Sequence, residues 1–152
     1  MKNNKGFSII ELIVSFSICI IVVVVLFQIV VVLKEVYEKS SVKTVLLNKQ
    51  NIIVNLIYED ILDKGLNSVA SCGDYCITFK FTNNTSKNLS YSEPNKSISY
   101  GDYNNPVISG STINKAVIFT NNEVISVYMP ISHKLFSNSD FGIHIVHYVP
   151  TS

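Results

Sequence analysis

The chain has 152 residues, 47% of them hydrophobic, and 12 basic against 11 acidic side chains give a net charge of +1. This length suits one domain, or one domain with an extension, and so even a balance of charge excludes the broad basic field of a nucleic-acid binder. All 12 basic residues are lysines, so the fork-shaped group best suited to bidentate phosphate or base-edge recognition is lacking.

Residues 1–6, MKNNKG, contain Lys2 and Lys5 and no acid. From Leu12 to Leu33 the only clearly polar residues are Ser15, Ser17 and Gln28. As a helix this stretch spans about 33 Å, enough to cross a hydrocarbon core of about 30 Å. A secretory signal peptide would have a shorter apolar region, about 7–15 residues, closed by small residues at a cleavage site. No such site follows Leu33. A plain single-pass anchor fits the length and the basic start, with Lys2 and Lys5 on the cytoplasmic side. It leaves Glu11 unexplained, because a charge at the bilayer centre costs about 2.5–3.5 kcal/mol on insertion scales.

The string Gly6-Phe7-Ser8-Ile9-Ile10-Glu11, followed by some twenty apolar residues, resembles the N-terminal signature of type IV prepilins and pseudopilins. The resemblance covers about the first third of the chain. It implies cleavage by a prepilin peptidase between Gly6 and Phe7, N-methylation of the new terminus on Phe7, and an assembly role for Glu11. A free α-amino group has a reference pKa of about 7.7–8.0, so the Phe7 amine of a neighbouring subunit would be a cation for Glu11 to meet. Desolvation offsets much of that attraction, and the pair is better suited to setting axial register than to adding stability.

The partners implied by the same resemblance are the peptidase, other pilin or pseudopilin subunits through the N-terminal helix, an inner-membrane assembly platform, and membrane lipid before assembly. DNA is a partner only in a competence system. No cofactor is implied. Many major pilins break the apolar helix with Pro or Gly, whereas here no Pro precedes Pro94 and no Gly lies between Gly6 and Gly65. That favours a minor pilin or pseudopilin, in a surface pilus, a type II secretion pseudopilus or a competence pseudopilus. The alternative is a single-pass anchor carrying an extracytoplasmic β domain that binds a ligand and never polymerises.

Beyond Leu33 the apolar residues become periodic. Val42, Val45, Leu46, Ile52, Ile53, Leu56, Ile57 and Ile61 recur near helical spacing, after a charged collar of Lys34, Glu35, Glu38 and Lys39. Gly65 suits a left-handed C-terminal cap. The expectation is one helix from about Phe7 to Lys64. The expected domains are a leader at 1–6, a transmembrane and filament-core helix at 7–33, its amphipathic continuation at 34–65, and an extracytoplasmic β-rich domain at 66–152.

Within that domain, Ile77, Phe79 and Phe81 alternate in CITFKFT, and AVIFTNNEVISVYM reads as a hairpin turning at Asn121-Asn122. Phe141 to Tyr148 reads as a last strand. Residues 82–110 read as a loop holding one or two short strands, near Leu89–Tyr91 and Ile98–Tyr100. The expected fold class is α+β: a pilin-like long N-terminal helix packed on a small antiparallel sheet, with the helix supplying one wall of the core.

Cys72 and Cys76 fit either a disulfide pinning the helix end to the first strand or two free thiols, and Cys19 lies within the apolar run. A lone C-x₃-C without a second pair does not make a zinc site. His144 and His147, three apart on a strand, face opposite sides, and His133 stands alone. With no nucleophile–base motif and no phosphate loop, no catalytic residue and no metal ligand is expected.

Overall fold

The computed structural model describes residues 8–121, 124–136 and 141–148. By their contacts these fall into two units, one ending at Val42 and one beginning at Lys43. A single α-helix, α1, runs from Ile9 to Lys64. It stops where expected: Gly65 takes φ +66° and donates its N–H to the Ile61 carbonyl at 3.0 Å. The Gly65 carbonyl then accepts the Thr82 N–H at 3.0 Å. A Cβ at this position would come within 2.8 Å of Thr82 Oγ1, so close approach as well as the left-handed backbone calls for glycine here.

Two antiparallel sheets follow. The first is a meander of β1 (Leu66–Gly73), β2 (Cys76–Phe81), β3 (Ser86–Ser92), β4 (Ser97–Tyr100) and β5 (Tyr103–Pro106), paired in that order. The second comprises β6 (Ser111–Ile113), β7 (Val117–Thr120), β8 (Val124–His133) and β9 (Phe141–Tyr148). Strand β8 is its centre: β9 pairs along one edge, while β7 and β6 share the other in succession.

Alternation decides which face is buried. Ile77, Phe79, Phe81, Leu89, Ile98 and Tyr100 of the first sheet are buried, as are Ile125, Val127, Met129, Ile131, Ile143 and Ile145 of the second. Leu46, Ile53, Ile57 and Ile61 of α1 complete this core. The helical stripe is narrower than the sequence pattern suggested. Val45 and Ile52 remain 42% and 38% exposed, because they lie about 100° around the helix from the Leu46–Ile53 line.

The helix also closes strand edges that would otherwise leave backbone groups unpaired. The Tyr58 hydroxyl accepts the Val146 N–H of β9 at 3.2 Å and donates to the Val146 carbonyl at 3.2 Å. Lys49 Nζ donates to the carbonyl of Pro106, the last residue of β5.

Residues 82–110 are a correction. They hold three strands, β3, β4 and β5, rather than a loop with one or two short ones. Leu89, Ile98 and Tyr100 face the core there, while Ser, Asn and Lys occupy the positions between them. The composition looked loop-like because only one face of the meander is buried. Strand β1 carries no apolar alternation to mark it, since none of its residues is fully buried.

Candidate functional site

The N-terminal unit contains the residues to which the sequence pointed. Gly6 and Phe7, the expected cleavage and methylation positions, lie outside the described residues. Glu11 is described, and it has a partner within its own helix: the Ser8 N–H donates to Glu11 Oε2 at 3.3 Å. The Ser8 carbonyl accepts the Leu12 N–H at 3.2 Å, which makes Ser8 the N-cap and Glu11 the third helical residue. This is the backbone half of a capping box, in which an acid one turn in reaches back to an orphan donor at the helix start. The signal for this contact is the S-x-x-E pattern of Ser8 and Glu11, which marks a helix start independently of any membrane role for the charge.

From Ile9 to Leu33 every large hydrophobic side chain is at least 48% exposed. The most apolar 18-residue window of α1 has a mean hydropathy of 3.3 and none of it is buried, and the helix is long and apolar enough to cross a membrane. So much apolar surface is stable only against lipid or other apolar helices. Ser17 contributes little polarity, since its hydroxyl donates to the Ile13 carbonyl at 2.8 Å. The collar beyond is paired along the helix: Lys34 with Glu38 at 4.0 Å, and Lys39 with Glu35 at 2.6 Å. The Lys39 ammonium holds the Glu35 carboxyl below its ordinary range.

Two further constellations lie in the second unit. Cys72 and Cys76 form a disulfide, with Cα atoms 5.0 Å apart. It joins β1 to β2 across their turn, so the expected link from helix end to first strand is corrected: both cysteines stand at the far end of the hairpin. The turn they flank ties the sheets together. The Asp74 carbonyl accepts the Ala116 N–H at 2.9 Å, and the Tyr75 carbonyl accepts the Tyr91 N–H at 2.9 Å. Asp74 also pairs with Lys115 at 2.6 Å and raises that ammonium's pKa.

The other constellation surrounds Asp60, a carboxylate within the buried stripe of α1 and only 9% exposed. Its oxygens take Lys64, one turn along, and Lys87 of β3 at 2.7 Å. Burial pushes the Asp60 carboxyl up, and the two ammoniums pull it further down, so its pKa is lowered on balance. Burial, and then the Asp60 charge, push the Tyr100 hydroxyl's pKa up. That hydroxyl lies beside Asp60 without a hydrogen bond of good geometry. Lys64 sits 5.5 Å from the Phe81 ring centroid and Lys87 sits 5.4 Å from that of Tyr100. Neither the spacing of Asp60 nor its chemistry marks this cluster in the sequence, because its members come from four separate elements, α1, β2, β3 and β4.

The histidines do not converge. His144 Nε2 lies 3.2 Å from Ser126 Oγ on the open face of the second sheet. His133 is buried between the Ser109 carbonyl and the Leu135 N–H. Among the described residues no group of three or more metal-ligating side chains is placed to hold an ion.

Residues 1–27 match the family model described as the prokaryotic N-terminal methylation motif, which is the type IV pilin-like signature. No curated protein and no solved structure matches the chain.

Proposed function

We propose that this chain is a structural subunit of a type IV filament, a minor pilin or pseudopilin rather than a catalyst. The observation that carries the reading is the methylation motif at residues 1–27, leading into a helix whose apolar side chains are exposed throughout residues 9–33. The precursor inserts with Lys2 and Lys5 on the cytoplasmic side, following the positive-inside bias. A prepilin peptidase then cuts between Gly6 and Phe7, and the Phe7 amine is methylated. Lipid covers the helix first, and the helices of neighbouring subunits replace it on assembly.

In this reading Glu11 has two partners in turn. In the single chain its carboxylate takes the Ser8 N–H, and in the filament it takes the cationic amine of another subunit's Phe7. The absence of Pro and of an internal Gly from the apolar helix supports a minor subunit or pseudopilin over a major pilin.

The test is co-expression with an active prepilin peptidase, followed by mass measurement of the membrane-extracted protein. The expected mature chain begins at Phe7 and carries the mass of a methyl group. A protein that still begins at Met1 overturns the reading. A chain that is cut but never enters sheared filaments would instead be a processed anchor for its β domain.

A further inference from the structure

The apolar part of α1 contains one side-chain amide, Gln28, and neither the helix cap nor the charged collar uses it. It stands within the run from Leu12 to Leu33, about 9 Å before Lys34 opens the collar. The side chains one turn to either side are Val24, Val25, Val31 and Val32, none of which can hydrogen-bond. The backbone groups around it lie in mid-helix and are paired within α1. Ser17 differs, because its hydroxyl donates to the Ile13 carbonyl of its own helix. The Gln28 amide offers both donors and an acceptor, and among the described residues it has no partner.

Water could serve an amide at the membrane edge, but the helix directs Gln28 away from the nearer one. Side chains on a helix lean toward its N-terminus, so Gln28 leans from the collar toward the hydrocarbon centre. An amide left unpaired there is costly.

The surface beside it is shaped for a helix. Val25, Gln28, Ile29 and Val32, with Leu33, frame a shallow groove of about 260 Å³. The first four are spaced i, i+3, i+4 and i+7, and such a set makes the hole into which a neighbouring helix inserts a side chain. Val25, Ile29 and Val32 are β-branched and stiff, so packing against them orders little that was free.

We infer that Gln28 pairs with Gln28 of a second copy of this chain, in a parallel dimer of membrane-inserted precursors. The inference rests on insertion as proposed above, but not on cleavage or filament growth. Copies inserted with the same basic start run in the same direction, so like residues stand at one depth. An amide is self-complementary: across a two-fold axis each can donate to the other's oxygen. The register is not that of the proposed filament. A Phe7 amine that meets a neighbour's Glu11 offsets the two helices by four residues, about 6 Å. That offset sets Gln28 level with Val24 or Val32 of the neighbour. The dimer therefore precedes assembly and parts for it.

Two positions at nearly one depth separate the faces of the helix. At about 100° per residue, Ile21 lies about 20° around the helix from Gln28 and Cys19 about 180°. The full chain is expressed without a prepilin peptidase, as two differently tagged copies, and the membranes are oxidised with copper phenanthroline. Wild type, with its free Cys19, is expected to stay uncrosslinked. Cys19→Ser with Ile21→Cys is expected to form a dimer containing both tags, and Cys19→Ser alone none. By sedimentation equilibrium of the full chain in micelles, Gln28→Leu is expected to weaken dimerisation about three- to tenfold, as losing an interhelical hydrogen bond does. Gln28→Asn is expected to keep most of the affinity. The inference is overturned, and anchoring left intact, if Gln28→Leu dimerises as well as wild type. The same holds if Cys19 cross-links as readily as Ile21→Cys, or if Ile21→Cys is captured only by another protein. Release of the chain by an alkaline carbonate wash overturns the anchored reading, and the dimer with it.

Discussion

At the residue scale, Glu11 and Asp60 are both carboxylates among apolar side chains, and each is made tolerable by particular partners. For Glu11 the cap and the charge can be separated, because Gln serves at the third position of a capping box as well as Glu does. Glu11→Ala removes both functions. It costs the helix start about 0.5–2 kcal/mol, as losing a cap does; under the proposed function it also leaves the neighbour's Phe7 ammonium unpaired in the assembled bundle, a loss of about 3–5 kcal/mol. Glu11→Gln keeps the Ser8 contact and loses only the charge. The expected order in sheared filaments relative to membranes is therefore wild type, then Gln, then Ala, with cleavage intact in all three. Equal incorporation of all three would leave Glu11 as a helix cap and nothing more.

Asp60 is held by Lys64 and Lys87, and its folded pKa lies below the ordinary value of 3.8. A carboxyl lowered by folding stabilises the fold fully above its unfolded pKa and loses that contribution as pH falls through the folded value. Asp60→Asn is expected to cost about 1.5–3 kcal/mol at neutral pH, the worth of hydrogen bonds to charged groups. It should also flatten the decline in stability below about pH 4. Denaturant midpoints of both proteins across the acid range provide the check, and parallel acid limbs would show that Asp60 does not govern the decline.

At the scale of elements, the strands differ in how clearly their sequences announced them. Strands β2, β8 and β9 alternate large apolar residues toward the core, and each was legible. Strands β3, β4 and β5 carry Ser, Asn and Tyr on short segments, and their pairing comes from neighbours in the meander more than from their own propensity. Strand β9 provides a further test at Gly142. A Cβ there would lie 2.5 Å from the Tyr128 ring and 2.8 Å from the Met129 carbonyl, so the ring occupies the space a side chain would need. Gly142→Ala is expected to destabilise by about 1–3 kcal/mol through overpacking, read from the thermal midpoint.

The β1–β2 hairpin offers a covalent test. With Cys72 and Cys76 bonded and Cys19 free, alkylation of the denatured, unreduced chain should modify one thiol, and three after reduction. Replacing both hairpin cysteines by Ser should cost about 3 kcal/mol or less, because the loop they close is short. Three thiols modified without reduction would show that the bond does not form in the cell.

At the scale of the whole molecule, the chain divides by contacts at Val42 and Lys43. The second unit contains the buried core and the helical residues that wall it. A chain lacking residues 7–33 should therefore fold and stay in solution. Retention in the membrane fraction after an alkaline carbonate wash would contradict this.

The long helix, its end at Gly65, the class of fold and the type IV pilin-like start were all determined by the sequence alone. They rest on local facts: an unbroken apolar run, a glycine at a left-handed position, alternation along single strands, and six consecutive residues of a motif. What only the tertiary structure decided are the meetings of residues far apart in the chain. Lys87 reaches Asp60 across 27 positions and Tyr58 reaches Val146 across 88. No periodicity or spacing encodes such meetings, because each depends on where the chain returns after folding and on which buried polar groups then lack any other partner.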